Sequence, residues 1–416
     1  MVKSDIVVGL DIGTTKICMV LGEATANDGI IIHGIGHSSS TGMRKGMVVS
    51  IDNTARDIHH ALAEAELMAG REIRSVYVGI AGSHISSFNS EGAVRISGDA
   101  VTGRDIERAL ETAGAKAIPQ DREIIHTLPQ EYIVDEQGDI SDPLGMAGVR
   151  LEVKVHIVTG AVASAQNIVR ACQRSGLSVE DIVLESLASS KAVLTDEERE
   201  LGVILVDLGG GTSDIALFVN NAIKHTSVIS LGGQYVTKDI AHGLRTPVDR
   251  AEELKLKYSC AMVDMVLPDE FIEVPEVGDR SPRRLSRRML AEICQARMEE
   301  ILAMVNQDLI KSGYKNQAVA GVVLTGGGSM IAGCQELSEQ IFELPARIGY
   351  PRNLGGLKNV AASPDCATAV GLLCYGVEKE AAEGRSGRKI DFNNPQKDFS
   401  LGEILSRFKK WFTDVR

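Results

Sequence analysis

The chain has 416 residues, 44% hydrophobic and 24% charged, the balance of a soluble globular protein with room for two to four domains. A formal charge of −12 argues against nucleic acid as a partner, and seven Cys without a C-x-x-C pair predict neither a disulfide framework nor a structural zinc. No run of 18 apolar residues exists, and Met1-Val2-Lys3-Ser4-Asp5 is too soon charged to begin a signal peptide, so a cytoplasmic protein is expected.

Residues 6–22 (IVVGLDIGTTKICMVLG) predict a buried strand, a Gly/Thr turn and a second strand. Apolar positions Ile58, Leu62 and Ala65 within 54–69 predict an amphipathic helix, and 73–80 alternates like a strand. Residues 84–160 read as an inserted α+β subdomain, with a helix at 103–115, a turn-rich stretch at 135–148 and a strand at 150–159. The strand–turn–strand unit then recurs at 203–219 (VILVDLGGGTSDIALFV), about 200 residues after the first, a spacing that suits a duplicated domain and not a solenoid. Residues 246–312 are mainly charged helix with an irregular acidic segment at 264–282. A buried strand and a third glycine turn follow at 322–333 (VVLTGGGSMIAG), opening a helix at 331–342. After residue 377 charge, Gly and Asn dominate, giving a linker at 385–398 and a closing helix at 399–416.

The three turns suit a nucleotide clamp. Gly13, Thr14 and Thr15, and Gly209, Gly210, Gly211 and Thr212, offer backbone N–H and hydroxyl donors to phosphate, with Lys16 as a compensating cation. Asp11 and Asp207 would be repelled by phosphate and suit the water shell of a Mg²⁺ ion. Gly326, Gly327 and Gly328 offer a flat surface under a nucleoside or a further phosphate contact. Asp in place of Gly210 or Gly327 is expected to abolish nucleotide binding by charge and bulk. Neither a Walker-A motif nor G-x-G-x-x-G after the first strand is present, and His33 and His37, without an intervening Glu, do not predict a metal site.

The segments Gly9–Thr15, Asp207–Thr212 and Gly326–Gly328 resemble the phosphate-1, phosphate-2 and adenosine motifs of the actin, heat-shock chaperone and sugar-kinase superfamily. Segments 184–194 (LESLASSKAVL) and 367–377 (ATAVGLLCYGV) resemble its hinge helices. The resemblance implies an actin-like (ribonuclease H-like) duplicated α/β fold binding ATP and Mg²⁺. It also implies that Glu185 orients an attacking water and that Glu252 and Lys255 hold the adenosine. Residues 38–70, 126–133 (HTLPQEYI) and 141–158 are similar, in order, to the FtsA family of bacterial cell-division proteins. That family implies subdomain 1A at 1–83 and 163–193, 1C at 84–162, 2A at 194–245 and 313–366, 2B at 246–312, and a hinge helix at 367–384 returning to 1A. Ser186 departs from the family pattern, which has Pro after the Glu. The alternatives are an ATPase or kinase of the superfamily, for which no sugar cleft or substrate domain is identified, and an actin-like adaptor of pilus assembly.

In the closing helix Leu401, Ile404, Leu405, Phe408, Trp411, Phe412 and Val415 fall within about 120° at the helical repeat. Lys409, Lys410 and the other charged residues lie outside that arc, and the only Trp of the chain is on the apolar face. Such a face with basic flanks suits an interfacial membrane helix, on a linker reaching roughly 20 Å. The family resemblance implies attachment to the cytoplasmic face of the inner membrane at the division site, FtsZ as a partner through 246–312, later divisome proteins through 1C, head-to-tail self-association, and at most weak ATP hydrolysis.

Overall fold

A computed structural model describes residues 6–25, 29–276, 278 and 281–385 of the chain. The linker from residue 386 and the proposed membrane residues Leu401, Ile404, Leu405, Phe408, Lys409, Lys410, Trp411 and Phe412 lie outside the described residues. Among the described residues no helix is long and apolar enough to cross a membrane.

Two lobes carry the same sheet. In the first, β1 (Val7–Ile12), β2 (Lys16–Ala24) and β3 (Ile30–Ser39) form an antiparallel meander, and β4 (Ser75–Ile80) and β5 (Ser178–Leu184) add in parallel, in the order β5-β4-β1-β2-β3. In the second, β6 (Val203–Leu208), β7 (Ser213–Val219) and β8 (Ala222–Ile229) repeat the meander, and β9 (Val322–Thr325) and β10 (Ala346–Ile348) repeat the parallel additions. The near-continuous apolar runs of β1 and β6 are those of strands covered on both faces, and both are almost wholly buried. One strand crosses the expected boundary: β11 (Leu354–Gly356) pairs in parallel with β3 and completes the first sheet, although the range 313–366 assigned it to the second lobe.

The helix Ile51–Ala69 starts three residues before the expected 54–69 because Ser50 caps it, accepting the Asn53 N–H at 3.3 Å. Its buried Ile58, Ala61, Leu62 and Ala65 pack on the first sheet. Between the lobes the helices Glu185–Val193 and Ala367–Arg385 pack together, with Ala188, Ala192, Ala369, Val370 and Leu373 all but fully buried; the second runs well beyond residue 377. Ser186 sits in the first turn of the first of them, fully buried, its Oγ without a hydrogen-bond partner.

The insert is a four-stranded antiparallel sheet, in the order Ser86–Arg95, Arg150–Ala161, Arg122–Val134 and Gln137–Ile140, covered by the helix Gly103–Gly114. A capping box between Thr102 and Asp105 starts that helix. The insert docks on β8 of the second lobe: Ser87 Oγ donates to Thr226 O at 2.8 Å, Gln130 Nε2 to Ile223 O at 2.6 Å, and His156 Nε2 lies 2.8 Å from Thr226 Oγ1. Within 246–312, the helices Val248–Tyr258 and Arg287–Ser312 flank an antiparallel strand pair, Phe271–Val274, which falls in the stretch read as irregular, with Arg283–Ser286, which falls in sequence read as charged helix.

Candidate nucleotide site

The turns between β1 and β2 and between β6 and β7 meet face to face at the junction of the lobes. A Cβ on Gly210 would lie 2.3 Å from Thr15 Oγ1, and one on Gly211 2.4 Å from Thr14 Oγ1, so the threonines of one turn occupy the space that side chains of the other would need. Thr14 Oγ1 also accepts the Gly46 N–H at 3.0 Å. The second turn is braced from behind, where the N–H groups of Gly233 and Gln234 donate to Gly209 O and Gly210 O at 2.9 and 2.8 Å.

One cavity gathers the expected residues. Asp11, Gly13, Thr14, Thr15 and Lys16 line it from the first lobe, Glu185 from the hinge, and Asp207, Gly209, Gly210, Gly211 and Thr212 from the second lobe. Glu252, Lys255, Gly326, Gly327 and Gly328 complete the expected set. Glu252 and Lys255 face each other at 2.8 Å, and Lys255 Nζ donates to Gly233 O at 3.2 Å and Thr237 Oγ1 at 3.0 Å, so the pair closes a polar network at the cavity wall.

The glycines of the third turn are not equivalent. Gly326 sits at φ +80°, and a Cβ there would lie 2.3 Å from Asp207 Oδ1, so both backbone and space require glycine. At Gly327 the nearest protein atom to an added Cβ is 3.7 Å away, so the protein itself leaves room for a side chain there. The turn opens a short 3-10 segment, Gly327–Met330, and the α-helix starts at Cys334 instead of residue 331.

Asp214, Asp365, Thr368 and Gly233 also line the cavity, none of which sequence reasoning singled out. Asp214 stands opposite Asp207 across β6 and β7, a position that strand alternation after the second turn could have identified. Thr368 opens the second hinge helix and donates to Asp207 Oδ2 at 3.0 Å. Asp365 takes the Lys16 ammonium at 2.6 Å; nothing local in the sequence joins positions 16 and 365.

Burial drives the electrostatics. It lifts the Asp11 carboxyl to about 7, with Lys16 opposing and Asp207 adding to the rise. It lifts Asp207 to about 6 against the Thr368 hydrogen bond, and Asp214 to about 8, with Asp207 adding to that rise. Glu185 is held well above the ordinary range, first by burial and then by Asp11, Asp214 and Asp207. Asp214 Oδ1 is buried with no hydrogen-bond partner. Crowded carboxylate oxygens, one of them unpartnered, are the hard donors that suit a divalent cation such as Mg²⁺.

A family model described as "Cell division protein FtsA" matches residues 204–371, and one described as "SHS2 domain inserted in FTSA" matches residues 82–159. The chain is 48% identical over 405 residues to the cell division protein FtsA of Pseudomonas aeruginosa, covering 97% of each chain. It is 45% identical over 410 residues to that of Neisseria meningitidis, covering 97% of this chain and 96% of the other. Among solved structures it resembles a PilM-PilN type IV pilus biogenesis complex, with a TM-score of 0.62 at 17% identity, covering 89% of this chain and 98% of that one. It also resembles MreB 5 of Spiroplasma citri bound to AMPPNP, with a TM-score of 0.55 at 14% identity, covering 93% and 100%. Identities this low speak to the fold alone, and that fold is actin-like, with two related lobes and an inserted subdomain.

Proposed function

The chain belongs to the FtsA family of cell-division proteins, and we propose that it acts there as an ATP-dependent adaptor that ties FtsZ filaments to the cytoplasmic face of the membrane. The single observation that carries the nucleotide part is the convergence of all three glycine turns, from both lobes, on one cavity. In this reading the turns of Gly13–Thr15 and Gly209–Thr212 hold the phosphates, Gly326–Gly328 underlie the nucleoside, and Glu252 and Lys255 hold the adenosine. The nucleotide bound to the MreB 5 structure is consistent with that arrangement.

Asp11 and Asp207, with Asp214 beside them, would hold Mg²⁺, which when bound neutralises phosphate charge. In the nucleotide-free pocket, burial and then three carboxyl neighbours oppose ionisation of Glu185. In this reading Glu185 orients the attacking water, hydrolysis is at most weak, and ATP serves chiefly as a clamp between the lobes.

The remaining parts are FtsZ binding through 246–312, recruitment of later division proteins through the insert, head-to-tail self-association, and membrane attachment by the helix at 399–416. Several such helices on one filament bind far more tightly than one. Liposome co-sedimentation tests this. The full chain is expected to pellet with vesicles, more so with ATP, and a chain ending at residue 397 to stay in solution. Equal pelleting of the two would remove the tether from the reading. A variant that stays monomeric with its helix intact should wash off the vesicles readily.

A further inference from the structure

Behind the phosphate turns lies a second cluster of ligating groups. Cys18 on β2 stands directly opposite His37 on β3 in the antiparallel register, and Cys366 approaches from the 3-10 turn Pro364–Cys366 that leads into the second hinge helix. One donor atom from each residue falls within 4.8 Å of the others, and the two sulfurs are 4.0 Å apart. Both cysteines are essentially inaccessible, at 0% and 2% exposure. His37 Nδ1 is buried and has no hydrogen-bond partner. Asp365 Oδ1 lies 3.9 Å from the Cys366 sulfur, so a carboxylate oxygen stands beside the trio.

We propose that Cys18, His37 and Cys366 form a binding site for a thiophilic divalent cation, with Zn²⁺ the best match. Zn–S bonds of about 2.3 Å and Zn–N bonds of about 2.0–2.1 Å in tetrahedral geometry put the donors of one ion roughly 3.5–3.8 Å apart. The observed sulfur separation is within a few tenths of that value, whereas a disulfide needs the sulfurs to close to about 2.05 Å. Two thiolates and an imidazole are the donor set that separates this site from the all-oxygen Mg²⁺ pocket nearby. Asp365 Oδ1 or a water fills the fourth position. Binding displaces to solvent whatever protons the two sulfurs still carry and transfers no electrons, so uptake strengthens as pH rises. Spacing along the chain conceals the site, because its ligands come from two neighbouring strands and from a turn nearly 350 residues away.

Asp365 also accepts the Lys16 ammonium at 2.6 Å, and Lys16 lines the nucleotide cavity. Metal occupancy is therefore expected to alter ATP affinity; this second part rests on the nucleotide reading, whereas the metal site does not.

The test uses the full chain, reduced, stripped with a chelator and titrated with Co²⁺ and then Zn²⁺ in the absence of nucleotide. The expected result is one ion per chain, a thiolate-to-cobalt charge-transfer absorption, and its loss as Zn²⁺ displaces Co²⁺. Cys18→Ser and Cys366→Ser should each weaken Zn²⁺ binding at least tenfold, while Cys374→Ser should not change it. Because both of those thiols are buried, His37→Gln, on a half-buried side chain, provides the arm least exposed to misfolding and should also weaken binding at least tenfold. No thiolate absorption in the wild-type protein, or full Zn²⁺ content in His37→Gln together with either serine variant, overturns the site. So does a reduced protein that takes no metal and instead closes a Cys18–Cys366 disulfide with peroxide. ATP affinity that is identical with and without Zn²⁺ at full metal occupancy overturns the coupling alone.

Discussion

In the first hairpin Asp11 stands opposite Cys18 across β1 and β2; in the second, Asp207 stands opposite Asp214 across β6 and β7. The two pairs occupy the same register position of a duplicated scaffold, yet one couples a carboxyl to a thiol and the other two carboxyls. The turns between them differ as well: the first carries one glycine, two threonines and Lys16, the second three glycines and a threonine. Duplication supplied two equal frames, and the lobes then divided the work. The first lobe provides side chains that fill and neutralise, and the second provides open backbone and negative charge.

The largest effect is expected where that division is erased. In Gly210→Asp a carboxylate enters the glycine turn opposite Thr15. At roughly 4 Å from phosphate and an effective dielectric near 20, it opposes binding by about 4 kcal/mol. That is roughly a thousandfold in ATP affinity, measured by titration calorimetry. Gly210→Ala isolates the steric part, because its Cβ falls 2.3 Å from Thr15 Oγ1. Adding Thr15→Ala should recover part of the loss. If Gly210→Ala binds ATP normally, the turns do not interlock and the comparison fails.

Asp214→Asn tests the charge side. A carboxyl raised from 3.8 to about 8 by folding contributes stability in full below pH 4 and loses it progressively as pH rises towards 8, since the unfolded chain gives up that proton first. Removing the group should therefore raise the melting temperature of the nucleotide-free protein more at pH 8 than at pH 5. The gap between variant and wild type should shrink when Mg²⁺ and ATP are present. A gap independent of pH would mean that Asp214 is not held protonated in the folded pocket.

What the sequence made legible follows the same line. Gly13–Thr15, Gly209–Thr212 and Gly326–Gly328 are short, contiguous and compositionally distinct, so their role could be read locally. The duplicated topology could be read from two matching apolar runs. Asp214 lies just past the second turn, but a lone Asp in a strand carries no local signature comparable to a glycine run. Asp365 acts on Lys16 across most of the chain and Thr368 on Asp207 from 161 residues away, partnerships that exist only once the hinge helix has packed. The strand pair at Phe271–Val274 and Arg283–Ser286 escaped because Arg283-Arg284-Leu285-Ser286 lacks the apolar alternation of a strand. The strand Leu354–Gly356, only three residues long, returns to the first lobe through its pairing with β3.

A smaller effect is expected from Thr14→Ala, which leaves the buried Gly46 N–H without its acceptor at a cost of about 1–3 kcal/mol in stability. Chemical denaturation should show that loss, and Thr14→Ser, which keeps the oxygen, should not reproduce it.

The smallest effect belongs to Thr15→Ser. Thr15 is exposed, and its hydroxyl and methyl both face Gly210. Serine keeps the hydroxyl and removes one methyl, worth at most about 0.8 kcal/mol were it fully buried, and less on an open surface. ATP affinity should fall less than about fourfold, since 1.4 kcal/mol corresponds to a factor of ten. A larger loss would mean that the methyl itself wedges the two turns into place. The filling of the glycine turn by the first lobe would then be a matter of shape, and the hydroxyl at position 15 would be incidental to it.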